Sequence, residues 1–214
     1  VTLPEGMVQI DVPFSIEESA ITIENSYMQK EILIAIHTEE NQAALDAGYY
    51  LQNPVLENAD VEHLTVESRQ TETVLTLSMG SVYEWETSFE ANMGGHSSLR
   101  LQLVQPSEKY EKIVALDAGH GGDDIGVVSV SDKTAPAIKE KDLTLQVVLM
   151  AGKLLEEKQI KVYYTRKDDS NPTGEERTAL ANEIQADMLV SVHADYAEDT
   201  SIYIKGIIDG SDCI

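Results

Sequence analysis

Two histidines and one glutamate are the residues of this chain whose types and surroundings suit chemistry. His120 stands in Asp117-Ala-Gly-His120-Gly-Gly122, directly after the apolar run at 113–116, so a buried strand runs into a glycine-rich loop. A histidine placed there sits at the carboxyl end of a strand, where α/β folds collect their ligands, and the glycines around it leave room for a metal or substrate to approach. Taken alone, the stretch also reads as a tight turn with an incidental histidine. His193 repeats the arrangement, following the apolar run Met188-Leu-Val-Ser-Val192, and Glu140 opens Glu-Lys-Asp-Leu-Thr-Leu at the start of a helical pattern. Two imidazoles at strand ends and a carboxylate at a helix start form an N,N,O set. Such a set suits Zn²⁺ with a fourth position left to water, the arrangement of catalytic zinc.

The elements that must position these groups alternate, as in an α/β fold. After the first strand and the glycine loop, residues 123–139 form a long polar connection of the kind that walls a site. Leu143, Val147, Ala151 and Leu154, joined by Val148 and Leu155, mark the expected buried face of a helix ending near Lys158. A strand at 161–165, a helix at 173–185 with Leu180 and Ile184 one turn apart, and a strand at 187–192 follow. Right-handed crossovers through these helices make the sheet largely parallel. Strands ending at His120 and His193, with a helix beginning at Glu140, then converge on one sheet edge. Asp117 and Asp195 lie beside the ligands in sequence, where either could orient an imidazole. Asp168 and Asp169 are expected to cap the turn after their strand.

Five motifs occur in order: Lys112-Ile-Val-Ala-Leu-Asp-Ala-Gly-His-Gly-Gly-Asp, Glu140-Lys-Asp-Leu-Thr-Leu, Thr165-Arg-Lys-Asp-Asp169, Glu176-Arg177 through Ala181-Asn182, and Ser191-Val-His-Ala-Asp195. Over about 112–196 the chain resembles the zinc-dependent N-acetylmuramoyl-L-alanine amidases, enzymes that cut glycan from stem peptide in bacterial cell walls. The resemblance implies Zn²⁺ as cofactor, His120, Glu140 and His193 as its ligands, peptidoglycan as partner, and an extracellular or cell-envelope location. Arg177 and Asn182 match family positions, although a helix-borne arginine equally suits a structural ion pair. Asp195 stands where the family usually has asparagine. The family also carries a later strand bearing a catalytic glutamate. Here twenty-one residues follow His193 and hold one glutamate, Glu198, in a polar run. The expectation is therefore a form shortened at its C-terminus that binds metal but turns over peptidoglycan poorly, with Glu198 or Asp195 as substitute bases. A sheet lacking its final elements would expose an edge that invites pairing with another chain. The alternative is a wall-binding or regulatory module that keeps the fold without turnover. A zinc peptidase fits the motif order less well.

The formal net charge of −23 argues against nucleic acid, whose phosphates need a basic face, and against electrostatic capture by an anionic wall or lipid surface. Residues 1–108 hold eighteen acids and three bases, residues 109–214 twenty and twelve. That shift points to two domains, 1–108 and 109–214, joined by an exposed linker at 104–109. No run of eighteen apolar residues suggests a membrane span. Val-Thr-Leu-Pro-Glu-Gly is no signal sequence, so an exported protein would be present in processed form. The single cysteine, Cys213, excludes an intrachain disulfide. The first half alternates with period two at 8–12, 20–23, 31–37, 61–66, 73–79, 83–89 and 98–104, the pattern of an all-β sandwich, interrupted by a helical or irregular segment at 40–51. Trp85 and Phe89 are expected to pack in its core, and His37, His63 and His96 show no metal spacing. In arrangement this half is similar to the β-sandwich wall-targeting domains that precede such amidases.

Overall fold

The computed structural model describes residues 5–37, 59–69, 71–91, 94–129, 137–194, 205–208 and 212–213. The expected segment at 40–51, Asp195 and Glu198 lie outside the described residues. The chain divides into two compact units, Val1–Gln105 and Pro106–Ile214.

Period-two alternation builds the first unit. Its strands are β1 (Met7–Val12), β2 (Ile21–Ser26), β3 (Glu31–His37), β4 (Val61–Ser68), β5 (Glu72–Met79), β6 (Glu84–Glu90) and β7 (Ser97–Val104). Strand β3 turns Ile32, Ile34 and Ile36 inward, β5 turns Leu75, Leu77 and Met79, and β1 and β7 do the same with Val8, Ile10, Val12, Leu99, Leu101 and Leu103. Two antiparallel sheets, ordered β1-β7-β6 and β2-β3-β5-β4, bury these faces in one core. Trp85 and Phe89 pack partly buried against that core, and His37, His63 and His96 are exposed. The expected linker at 104–109 is different in kind. Val104 is still paired with Glu84 in the β6–β7 ladder, and Pro106–Lys109 form a one-turn helix, α1, with Pro106 buried. Proline's fixed φ suits the first helical position, so Pro106 starts a turn, while Ser107, Glu108 and Lys109 are exposed as expected of the linker.

The second unit runs β8 (Ile113–Ala118), α2 (Glu140–Glu156), β9 (Lys161–Tyr164), α3 (Gly174–Glu183), β10 (Met188–Val192), β11 (Lys205–Ile208) and β12 (Asp212–Cys213). Strand order is β12-β11-β10-β8-β9. Strands β8, β9 and β10 are parallel, whereas β11 and β12 add antiparallel, so the sheet continues beyond β10 where it was expected to stop. Helix α3 starts with a capping box: the Thr173 hydroxyl accepts from the Glu176 amide at 3.2 Å, and the Glu176 carboxylate accepts from the Thr173 amide at 2.7 Å.

Helix α2 is rotated from its expected setting. Leu143, Val147 and Leu154 are 39%, 41% and 60% exposed, and the buried residues are Glu140, Lys141, Thr144, Val148 and Gly152. Apolar residues cover more than one face of this helix, so periodicity alone leaves its rotation open. Two contacts decide it. Glu140 and Thr144 are drawn beneath the loop that follows β8, and a Cβ at position 152 would overlap the Tyr164 hydroxyl, so only glycine lets the helix lie there. Val148→Ala is expected to lower stability to denaturant by about 2 kcal/mol, and Leu154→Ala by no more than about 0.5 kcal/mol. The reverse ranking would contradict this rotation.

Candidate metal centre

Register places the two histidines. Strands β8 and β10 pair in parallel with Asp117 opposite Ser191 and Ala118 opposite Val192, and the Gly119 amide extends the ladder by donating to the Val192 carbonyl at 3.0 Å. The chain then turns. His120 has φ of 62°, a left-handed conformation that a non-glycine residue adopts at a cost, and the hydrogen bonds around it hold it there. Its ring meets that of His193 edge to face, with centroids 4.8 Å apart.

Three donor atoms converge. His193 Nδ1 lies 3.2 Å from His120 Nε2 and 3.1 Å from Glu140 Oε1, and His120 Nε2 lies 3.1 Å from the same oxygen. This near-equilateral triangle approaches the edge of about 3.3 Å set by tetrahedral bonds of about 2.0–2.1 Å. The chemistry of the donors points the same way. His120 Nδ1 lies 2.8 Å from an Asp124 oxygen, and in the neutral ring it carries the proton, which makes Nε2 an acceptor. That acceptor faces another, the Glu140 carboxylate, across 3.1 Å. Two lone pairs aimed at one point repel unless a cation sits between them, so a divalent cation fits this set.

Glu140 is fixed from behind. Its side chain is 1% exposed; Oε1 accepts from the Ala194 amide at 2.9 Å and Oε2 from the Val127 amide at 2.8 Å. Burial alone would raise its pKa. The two amides and the neighbouring imidazoles outweigh burial and hold the carboxyl below its ordinary value. Two glycines make the close approach possible. A Cβ at Gly119 would strike the His193 ring, and one at Gly126, where φ is 63°, would lie 2.6 Å from Glu140 Oε2 and 2.7 Å from His120 Cδ2.

Asp124 was not singled out from sequence. The readable signal is a carboxylate four residues past a loop histidine, close enough to reach back to Nδ1. Asp117, expected to orient an imidazole, touches neither ring. It is buried and accepts from the Thr165 and Ser191 hydroxyls and, at 2.7 Å, from Arg177. Burial pushes its pKa up, but those three donors and the Arg177 charge hold it below its ordinary value. Arg177 also donates to the Ala118 and His120 carbonyls, so it forms an ion pair and steadies the His120 loop together. Asn182 is exposed in the last turn of α3 and is not among the residues lining the cavity. Asp168 caps Ser170 as expected. Asp169 does more: it accepts from the Gly122 amide and, at 2.7 Å, from Lys141. A cavity of about 550 Å³ opens beside the donors, lined by Asn171, Thr173, Thr178 and Leu189 as well as His120 and His193.

An α/β unit with an N,N,O triad at the carboxyl edge of its parallel strands is the class defined by this geometry. Residues 114–208 match the family model described as N-acetylmuramoyl-L-alanine amidase. The chain is 42% identical over 84 residues to the N-acetylmuramoyl-L-alanine amidase AmiC of Escherichia coli O6:H1, covering 39% of this chain and 19% of that protein. It is 35% identical over 113 residues to YqiI of Bacillus subtilis strain 168, covering 51% of each. The catalytic domain of the amidase CwlV from Bacillus (Paenibacillus) polymyxa var. colistinus is similar at 32% identity, over 41% of this chain and 48% of that one, with a TM-score of 0.37. The chain thus spans about half or less of the length of these relatives. Through this α/β half it is similar to N-acetylmuramoyl-L-alanine amidases.

Both Glu140 and Asp117 ionise more readily folded than unfolded. Their stabilisation is complete above the unfolded carboxylate range near pH 4 and is lost as pH falls through the lower folded values. Denaturation midpoints are expected to fall from pH 5 to pH 2. Asp117→Asn should cost about 3–5 kcal/mol at pH 7, because Arg177 stays buried without its carboxylate, and should flatten the acid decline. A variant with wild-type stability and acid decline would show that Asp117 does not carry this coupling.

Proposed function

We propose that the chain holds one Zn²⁺ between His120 Nε2, Glu140 Oε1 and His193 Nδ1, and that this centre hydrolyses the amide between N-acetylmuramic acid and L-alanine in peptidoglycan. The observation that carries the metal reading is the converging triad, with two acceptors facing each other at 3.1 Å. The family match over 114–208 and relatives named as amidases support the reaction and an extracellular or cell-envelope location.

Zinc bound there supplies an acidified water and polarises the scissile carbonyl. The chain's own residues do the rest. Asp124 holds the His120 proton on Nδ1, which fixes the tautomer and orients Nε2. The Val127 and Ala194 amides keep Glu140 ionised and immobile. The cavity beside the triad offers the Asn171 amide and the Thr173 and Thr178 side chains to the hydroxyl and amide groups of a glycopeptide. Proton transfer to the leaving amine needs a further base. The two aspartates lining the cavity are engaged, Asp117 with Arg177 and two hydroxyls, Asp124 with His120 and the Gly126 amide. Glu198 and Asp195 are candidates for that task. Engagement of both cavity aspartates also favours a second reading, a wall-binding module without turnover. In the same proposal, residues 1–108 are a separate domain that attaches the chain to the wall.

Purified protein is expected to bind about one zinc per chain. His193→Ala should abolish tight binding, and His63→Ala, on the exposed face of β4, should not. Equal zinc content in both variants would overturn the ligand set. Incubation with purified cell walls should release L-alanine amino termini only with zinc. Zinc-loaded protein that releases none above a zinc-stripped blank would favour the binding module.

A further inference from the structure

Arg166 is the buried cation beneath the triad, and no role has yet been assigned to it. It is 3% exposed, and its hydrogen bonds run to main-chain carbonyls and one hydroxyl. Nε donates to the Ala118 carbonyl at 2.9 Å, and Nη1 to the Asp168 carbonyl at 2.8 Å. Nη2 donates to the Gly119 carbonyl at 2.9 Å, the Lys141 carbonyl at 2.8 Å and the Thr144 hydroxyl at 3.3 Å. Ala118 and Gly119 are the two residues before His120. Lys141 is the residue after Glu140. One guanidinium therefore joins the backbone that carries the first histidine to the backbone that carries the carboxylate.

Thr144 makes the same connection from α2 itself. It is fully buried, and its hydroxyl donates to the Gly119 carbonyl at 2.8 Å from one turn into α2. Desolvating a guanidinium is costly, and a surface arginine would avoid that cost. Here the cost maintains a distance: donors from two residues, Arg166 and Thr144, hold a 3.1 Å spacing between His120 Nε2 and Glu140 Oε1. Only arginine's planar fork reaches the Ala118 and Lys141 carbonyls at once; a lysine ammonium is a single point.

We propose that Arg166, seconded by Thr144, is a positioning residue that sets the His120–Glu140 spacing and thereby the affinity and geometry of the metal centre. This rests on the proposed metal reading. Arg177 differs in kind, since its partners are Asp117 and the β8 end, with none on α2.

The test measures binding and not turnover. Zinc affinity is read by competition with a chromophoric chelator, and ligand geometry by the visible absorption of Co²⁺ bound in place of zinc. Arg166→Lys is expected to weaken zinc about 10–100-fold and to alter the Co²⁺ band. Thr144→Val, which removes one hydroxyl at nearly constant volume, should weaken it in the same direction by a smaller factor and answers the question even if Arg166→Lys does not fold. Ile184→Ala, a fully buried change in the same unit remote from both segments, should lower thermal stability yet leave affinity and spectrum unchanged. Wild-type affinity and spectrum in both Arg166→Lys and Thr144→Val would overturn the clamp while leaving the metal reading intact. Equal weakening in Ile184→Ala would overturn it too, by showing that general destabilisation suffices. A wild-type chain that binds neither ion would overturn both readings.

Discussion

A carboxylate that is 1% exposed must find its compensation locally, and Glu140 finds it in two main-chain amides and the His193 ring. The groups joined in this way come from three places in the chain. Val127 belongs to the loop after β8, Ala194 to the end of β10, and Glu140 itself to the first turn of α2. Ionised Glu140 therefore binds together three segments that the parallel sheet merely brings near. Loss of any one amide would leave a buried charge under-satisfied, at a cost of roughly 1–3 kcal/mol or more. The position of α2 against the sheet, and the left-handed turn at His120, follow from this requirement.

Around that centre the second unit sets a cluster of buried polar groups beside its apolar core. Asp117 with Arg177, and Arg166 with its carbonyls, lie under the loop that carries His120, while Lys141 and Asp169 tie the next residues of the loop, through Gly122, to α2. Such networks are costly unless each member is satisfied, and here they are satisfied largely by main-chain carbonyls near the triad. The first unit is the opposite case. Its core is almost wholly aliphatic, drawn from inward faces of strands in two sheets.

What the sequence made legible was what period and spacing encode. Strand ends delivering His120 and His193, Glu140 at a helix start, and the alternation of seven strands are all local patterns, and each is found where it was expected. Three features were not local. The rotation of α2 depends on the Tyr164 hydroxyl meeting Gly152 and on Glu140 reaching the loop, contacts between residues far apart in sequence. Asp117 sits near His120 in sequence, but strand alternation turns it toward Thr165, Ser191 and Arg177. Asp124 follows three glycine-flanked positions, and only the positive φ at 120–122 folds it back onto His120. The run at 205–208 lacked a clear strand period, and its pairing with β10 supplies what sequence did not.

The central claim is that His120, Glu140 and His193 form one metal centre through nitrogen, oxygen and nitrogen. X-ray absorption at the zinc edge tests this most directly, because it reports the identity and number of the atoms bound to the ion. The account predicts two imidazole nitrogens and two oxygens, one from Glu140 and one from water, all near about 2.0–2.1 Å. A sulfur neighbour at about 2.3 Å, which would implicate Cys213, or a shell with fewer than two imidazoles, would contradict it.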